Sequence, residues 1–176
     1  VVSIITTTGF VTADFNHWPI LSQFIIITLM FIGACSGSTG GGLKVGRIII
    51  LFKSGIRELK RAINPRKVQA LRLDHATLDK ETTSATCIYF VVYMMVIAVS
   101  MLLVSLNNLD FTTTFSSVIT CINNVGPGLS LVGPVENFSN LSVLTKLVLA
   151  TDMLIGRLEV LPMIILFIPS TWKKST

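Results

Sequence analysis

Asp110-Phe111-Thr112-Thr113-Thr114-Phe115-Ser116-Ser117-Val118-Ile119-Thr120-Cys121-Ile122-Asn123-Asn124-Val125-Gly126-Pro127-Gly128-Leu129 is the stretch whose reading decides the fold. Its first part, Asp110 to Ile122, is too brief to cross roughly 30 Å of hydrocarbon. Its second part turns at Gly-Pro-Gly, a strong local breaker. Together they predict a half-helix that enters a membrane, turns, and returns to the side it came from.

The flanks carry the segments that cross. Thr86 to Leu106 is an uncharged run of 21 residues, and at about 1.5 Å per residue it covers the hydrocarbon thickness. Leu141 to Pro169 is also long enough, but holds Lys146, Asp152, Arg157 and Glu159. Ionisable groups at that depth are costly and are expected to face protein or water. The remaining apolar stretch, Ile20 to Phe52, is interrupted by Gly37-Ser38-Thr39-Gly40-Gly41-Gly42. A glycine run does not propagate a helix, and irregular backbone at membrane depth is tolerated only where it lines a cavity or is buried in protein. A flexible linker between two short helices is the alternative.

Composition agrees with the bilayer as solvent: 51% of the 176 residues are hydrophobic, 13% are charged, and the mean hydropathy is +0.75. The formal net charge of +5 raises the question of nucleic acid. Ten of the fourteen Lys and Arg residues lie between Lys44 and Lys80, and Lys173 and Lys174 close the chain. Residues 9 to 19 and 107 to 141 hold Asp14, Asp110 and Glu136 but no Lys or Arg. That distribution follows the rule that cytoplasmic loops are positive and excludes a nucleic-acid partner. With the basic loop inside, the first span runs inward, 86 to 106 runs outward, the half-helix re-enters from outside, and the last span runs inward. The apolar start at Val1 lacks a basic n-region and a cleavage site, so it is read as a cut from something longer rather than a signal peptide. Cys35, Cys87 and Cys121 are far apart and are read as packing residues.

Shifting the sequence by 123 positions pairs Phe15 with Phe138, Leu21 with Leu144, Ser22 with Thr145, Thr28 with Thr151, Met30 with Met153, Ile32 with Ile155 and Gly33 with Gly156. Two copies of one unit are present, each with a glycine turn ahead of its span: Thr6 to Phe10 in the first, Asn124 to Gly128 in the second. Repeated membrane units commonly enclose a path on the axis between them. A cation on such a path must exchange its water shell for other oxygens, which rows of backbone carbonyls supply without a fixed charge. Thr7-Thr8-Gly9-Phe10 and Asn124-Val125-Gly126-Pro127 each offer four consecutive carbonyls, and glycine at the third position permits backbone angles that turn them to one side. The C-terminal end of a half-helix adds favourable negative potential.

On these residues the whole chain resembles the C-terminal part of the Trk/Ktr/HKT superfamily of potassium-uptake transporters, nearest its Trk-type membrane subunit. The resemblance implies an all-α membrane protein of helix, pore-loop, helix repeats, four around one pore, sited as a multi-pass protein in the inner cell membrane. It makes Thr7, Thr8, Gly9 and Phe10 the third selectivity filter and Asn124, Val125, Gly126 and Pro127 the fourth, holding potassium by backbone carbonyls. Gly37, Ser38, Thr39, Gly40, Gly41 and Gly42 become an intramembrane gating loop in a broken helix. Gly156-Arg157-Leu158-Glu159 resembles the family's motif in the last span, with the arginine near that loop. The implied organisation is a partial third repeat at 1–54, a cytoplasmic basic connector at 55–81, a fourth repeat at 82–170 and a tail at 171–176. The implied partners are the remaining repeats, a second copy in a homodimer, the lipid bilayer and a cytosolic nucleotide-binding regulatory subunit. Potassium is then substrate, and no cofactor is expected.

Physically, Arg157 and Glu159 are two apart and do not face each other on a helix. Arg157 either donates to loop carbonyls and holds a gate shut or ties the last span to a neighbour. Lys146 either tunes cation occupancy or snorkels to the interface. The basic stretch Arg57 to Arg72 reads as a solvated surface helix near anionic lipid. An enzyme fails on inventory: His17 and His75 are isolated and the acidic residues scattered. Gly37 to Lys44 misses the phosphate loop, because its lysine falls one position late. Two rivals remain, a potassium-binding subunit of a pumping ATPase and a non-conducting membrane scaffold; Gly-Arg-Leu-Glu favours the Trk type.

Overall fold

The computed structural model describes residues 1–33, 40–64, 72–73, 76–77 and 80–158. Helices dominate: α1 (Val2–Ile5), α2 (Ile20–Phe31), α3 (Val45–Ile63), α4 (Lys80–Ser105), α5 (Phe111–Ile122) and α6 (Val143–Leu158). Two strands, β1 (Arg72–Leu73) and β2 (Ala76–Thr77), pair antiparallel with Arg72 opposite Thr77.

Helix α4 is, among the described residues, the one long and apolar enough to cross a membrane. Its packing is inverted relative to a helix in water. Thr83, Thr86 and Ser100 are buried with Tyr89, Tyr93, Ile97 and Val104, whereas Ile88, Val91, Met95, Val99 and Leu102 are exposed. A helix that shows aliphatic side chains outward and hides hydroxyls inward has lost the polar face that water requires. The hydroxyls serve as ties: Ser100 donates to the buried Asp152 Oδ1 on α6 at 2.6 Å, and Asn107 just beyond α4 reaches Thr145 Oγ1. Asp152 thus faces protein, as its position in an apolar span demands.

Helix α5 begins where Asp110 accepts a hydrogen bond from the Thr112 amide at 3.2 Å, satisfying one of the open first-turn donors. It ends at Ile122, and from Thr113 onward all but Phe115 are buried. Its packing joins two cores. Val118, Cys121 and Ile122 pack with Tyr89, Tyr93, Ile97 and Leu149; Ile119 packs with Ile4, Phe15, Ile26, Met30 and Val125.

The repeat is written into the backbone. A 3-10 turn at Phe15–His17 is capped by Asp14 accepting from the Asn16 amide, and its counterpart at Phe138–Asn140 by Asn137 accepting from the Ser139 amide. Ile20 and Val143, which open the following helices, stand the same 123 positions apart. The copies then diverge: α6 continues through Gly156, whereas α2 stops at Phe31 and the chain resumes as helix at Val45. Ile32 bridges Leu43 in parallel, and the Gly33 amide donates to the Leu43 carbonyl at 2.9 Å. The two ends of the break are therefore tied together at Gly33 and Leu43.

Helix α3 carries Arg57, Lys60 and Arg61 into the connector but ends at Ile63, so the surface helix expected through Arg72 is cut short. Asn64 adopts φ −132 and ψ 81, because Pro65 disfavours the helical region for the residue before it. Arg72 lies instead in the two-residue ladder.

Candidate functional site

Two turns leave α1 and α5 in the same way. The Thr8 amide donates to the Ser3 carbonyl and the Val125 amide to the Thr120 carbonyl, each at 2.9 Å and each five residues back. In both turns the first and third residues take positive φ: Thr7 at 54 and Gly9 at 80, Asn124 at 54 and Gly126 at 106. In an ordinary strand successive carbonyls alternate in direction. Reversing φ at every second residue turns the alternate peptides over, so the carbonyls gather on one side. The amides of Thr7, Thr8, Gly9, Asn124 and Val125 are spent on α1 and α5. The carbonyls of Thr7, Thr8, Gly9, Phe10, Asn124, Val125 and Gly126 accept no hydrogen bond among the described residues. Pro127 differs, because Thr120 Oγ1 donates to its carbonyl at 3.1 Å.

The turns adjoin. A Cβ on Gly9 would fall on the Val125 carbonyl oxygen and stand 3.4 Å from Pro127 Cδ. Asn16 bolts the segments that follow: the Ser130 amide donates to Asn16 Oδ1 at 3.0 Å and Asn16 Nδ2 donates to the Ser130 carbonyl at 3.4 Å. This holds Ser130 at φ 58. Neighbouring rows of unbonded carbonyls, ending two half-helices, can replace the water shell of a monovalent cation.

Of the glycine loop, Gly37, Ser38 and Thr39 lie outside the described residues, and Gly40, Gly41 and Gly42 lie within them. Gly41 and Gly42 press on Asn123, the residue before the second turn. A Cβ on Gly41 would stand 2.6 Å from the Asn123 carbonyl oxygen, and one on Gly42 would fall on Asn123 Oδ1. Asn124 Nδ2 donates to the Met153 carbonyl of α6 at 3.1 Å. Gly156 lets α6 approach α5, since a Cβ there would overlap the Ile122 carbonyl.

Lys146 Nζ donates to the Ser139 carbonyl at 2.7 Å and borders a cavity of about 230 Å³ shared with Thr120, Phe138 and Gly126. The Arg157 side chain is exposed, beside Gly156, and makes no hydrogen bond or ion pair among the described residues. Glu159 lies outside them. Asn123, Tyr93 and Asn16 were not singled out by the sequence. The signals were present but faint: an Asn doublet ahead of a turn, and a phenol inside an uncharged span, which needs a partner when buried.

A family model described as TrkH, cation transport protein, matches residues 1–174. The chain is 41% identical over 174 residues to the Trk system potassium uptake protein TrkH of Escherichia coli, covering 99% of this chain and 36% of that protein. It is 40% identical over 172 residues to the protein of the same name from Vibrio parahaemolyticus, covering 98% and 35%. The crystal structure of the potassium transporter TrkH from Vibrio parahaemolyticus superposes with a TM-score of 0.86 at 38% identity, covering 97% of this chain and 36% of that one. The chain thus spans about a third of the length of these relatives.

Proposed function

This chain belongs to the TrkH family of cation transport proteins, and on that premise we propose that it supplies the third and fourth quarters of a pore for potassium uptake across the inner cell membrane. Transport, not enzymatic turnover, is the family's business. The relatives named as potassium uptake proteins extend well beyond this segment, and in this reading the remaining repeats complete the ring. Thr7, Thr8, Gly9 and Phe10 act as one filter strand and Asn124, Val125 and Gly126 as another, with Pro127 closing the second through Thr120. The observation that carries this reading is the matched alternation of φ in two adjoining turns whose carbonyls are left unbonded.

The glycine loop beneath the strands acts as the gate. The tie between its ends and its contact with Asn123 support that role over a slack linker. Arg157 acts on the loop from α6, Lys146 adds positive potential behind the fourth strand, and Glu159 completes the motif. The assembled protein is a dimer that docks a cytosolic nucleotide-binding regulator on its basic inner face.

Two measurements test the reading. Gly126→Ser, in the full-length transporter reconstituted in vesicles, should lower potassium-over-sodium discrimination about tenfold, the worth of forcing a side chain into positive φ at about 1–2 kcal/mol. Unchanged ion ratios would count against the filter. Deleting Gly40 to Gly42 should raise flux in the closed state, and an unaltered current would leave the loop a connector.

A further inference from the structure

We propose that Tyr93 and Asn123 are positioning residues that bolt the far end of the glycine loop to the base of the fourth filter strand, so that ion discrimination depends on the loop being seated. The inference rests on the filter reading above.

Asn123 sits between α5 and Asn124, and it is fully buried. Each polar atom of its side chain is engaged. Oδ1 accepts from the Tyr93 hydroxyl at 2.8 Å, and Nδ2 donates to the Ile119 carbonyl at 2.8 Å. These two bonds, from different helices, fix the side-chain rotamer. The third contact comes from the loop: Gly41 lies over the Asn123 carbonyl and Gly42 over its Oδ1, at distances that admit no Cβ. Asn123 is where the glycine loop meets the strand, and Tyr93 is what holds Asn123 still.

A second connection converges on the same point. Arg47, in the first turn of α3, places its guanidinium 4.0 Å from the centre of the Tyr89 ring, well inside cation–π range. Tyr89 stacks on Tyr93 with centroids 6.3 Å apart and planes 11° apart. The loop bears on Asn123 directly, and the first turn of α3, which follows Lys44, bears on it through Arg47, Tyr89 and Tyr93. Shifting the loop or α3 unloads one side of that residue. The next residue, Asn124, holds φ 54, a left-handed state that asparagine tolerates better than most side chains but that its neighbours still have to hold. Loosening Asn123 therefore relaxes the strand that presents the carbonyls.

The test uses the full-length transporter containing this segment, in proteoliposomes, with potassium and sodium fluxes measured in parallel. Tyr93→Phe deletes one hydroxyl and leaves the ring stack, so the protein should still fold. The potassium-over-sodium ratio is expected to fall about fivefold, the worth of one neutral hydrogen bond. Gly42→Ala presses on the same Asn123 Oδ1 that Tyr93 holds and should lower the ratio too, and the double variant should be non-additive because both act through one residue. An unchanged ratio in Tyr93→Phe overturns the inference. So does a flux that drops only in proportion to lost folded protein, since a merely structural hydroxyl changes the number of active molecules and not their selectivity. Gly126→Ser separates the levels: if it alters the ratio while Tyr93→Phe does not, only the positioning role falls; if neither does, the filter reading falls with it.

Discussion

Replacing Gly9 with alanine is expected to cut potassium uptake about a hundredfold, and replacing Gly126 with alanine only about tenfold. Both positions hold positive φ, and an L side chain there costs about 1–2 kcal/mol. The difference lies in the surroundings. At Gly126 nothing in the chain stands within 4 Å of the added methyl, whereas at Gly9 it falls on the Val125 carbonyl oxygen and crowds Pro127. A backbone oxygen anchored through its own peptide cannot swing aside as a side chain would, and overpacking adds about 1–3 kcal/mol. At about 1.4 kcal/mol per factor of ten, the sum separates the two variants by about an order of magnitude. The measurement is uptake by cells that depend on this transporter for growth at low potassium, with membrane-extracted protein quantified alongside. If Gly126→Ala is as damaging as Gly9→Ala, the contact between the two strands is not what sets their spacing.

The half-helix is legible because its signals are local. Asp110 caps it, an apolar and hydroxyl run fills it, and Gly126-Pro127-Gly128 ends it. The repeat is legible for the same reason: like residues recur at fixed separation, and the 3-10 turns capped by Asp14 and Asn137 recur with them. The break after α2 shows as glycines, but its form does not. Closure by the Gly33 to Leu43 hydrogen bond is a pairing across a gap whose content cannot reveal where its ends meet.

The candidate site divides along the same line. Glycine at Gly9 and Gly126 advertises positive φ and asparagine at Asn124 is compatible with it, while Thr7 adopts it without advertising it, since β-branched residues normally avoid that region. Their conformation is imposed by the i−5 hydrogen bonds that pull the turn back onto its helix. Contacts between distant positions left no trace in composition or periodicity. Tyr93 with Asn123 is one, Asn16 with Ser130 another. The engagement of the Pro127 carbonyl by Thr120 belongs with them; the tetrapeptide alone gives no reason for its last oxygen to differ from the others.

Gly156→Ala sets helix propensity against packing, and the magnitudes decide the sign. Gly156 lies within α6, where alanine in place of glycine ordinarily stabilises a helix by about 0.8–1 kcal/mol. Gly55, within α3 and with nothing inside 4 Å of a built Cβ, should show that gain in full, as a modest rise in thermal midpoint for Gly55→Ala. At Gly156 the methyl would overlap the Ile122 carbonyl and come within 2.9 Å of Asn124 Nδ2. Relief requires α6 to retreat from the end of α5, which breaks the 3.1 Å bond from Asn124 Nδ2 to the Met153 carbonyl and opens the core around Cys121, Ile122 and Leu149. Overpacking at about 1–3 kcal/mol and a buried hydrogen bond at about 1 kcal/mol outweigh the propensity gain. Gly156→Ala is therefore expected to destabilise the protein by about 1–3 kcal/mol and to loosen the fourth filter strand through Asn124. Thermal unfolding of the two variants in one detergent checks the sign. A higher midpoint for both would show that α6 does not press on α5 at Gly156, and the route from the last helix to the strand would be lost.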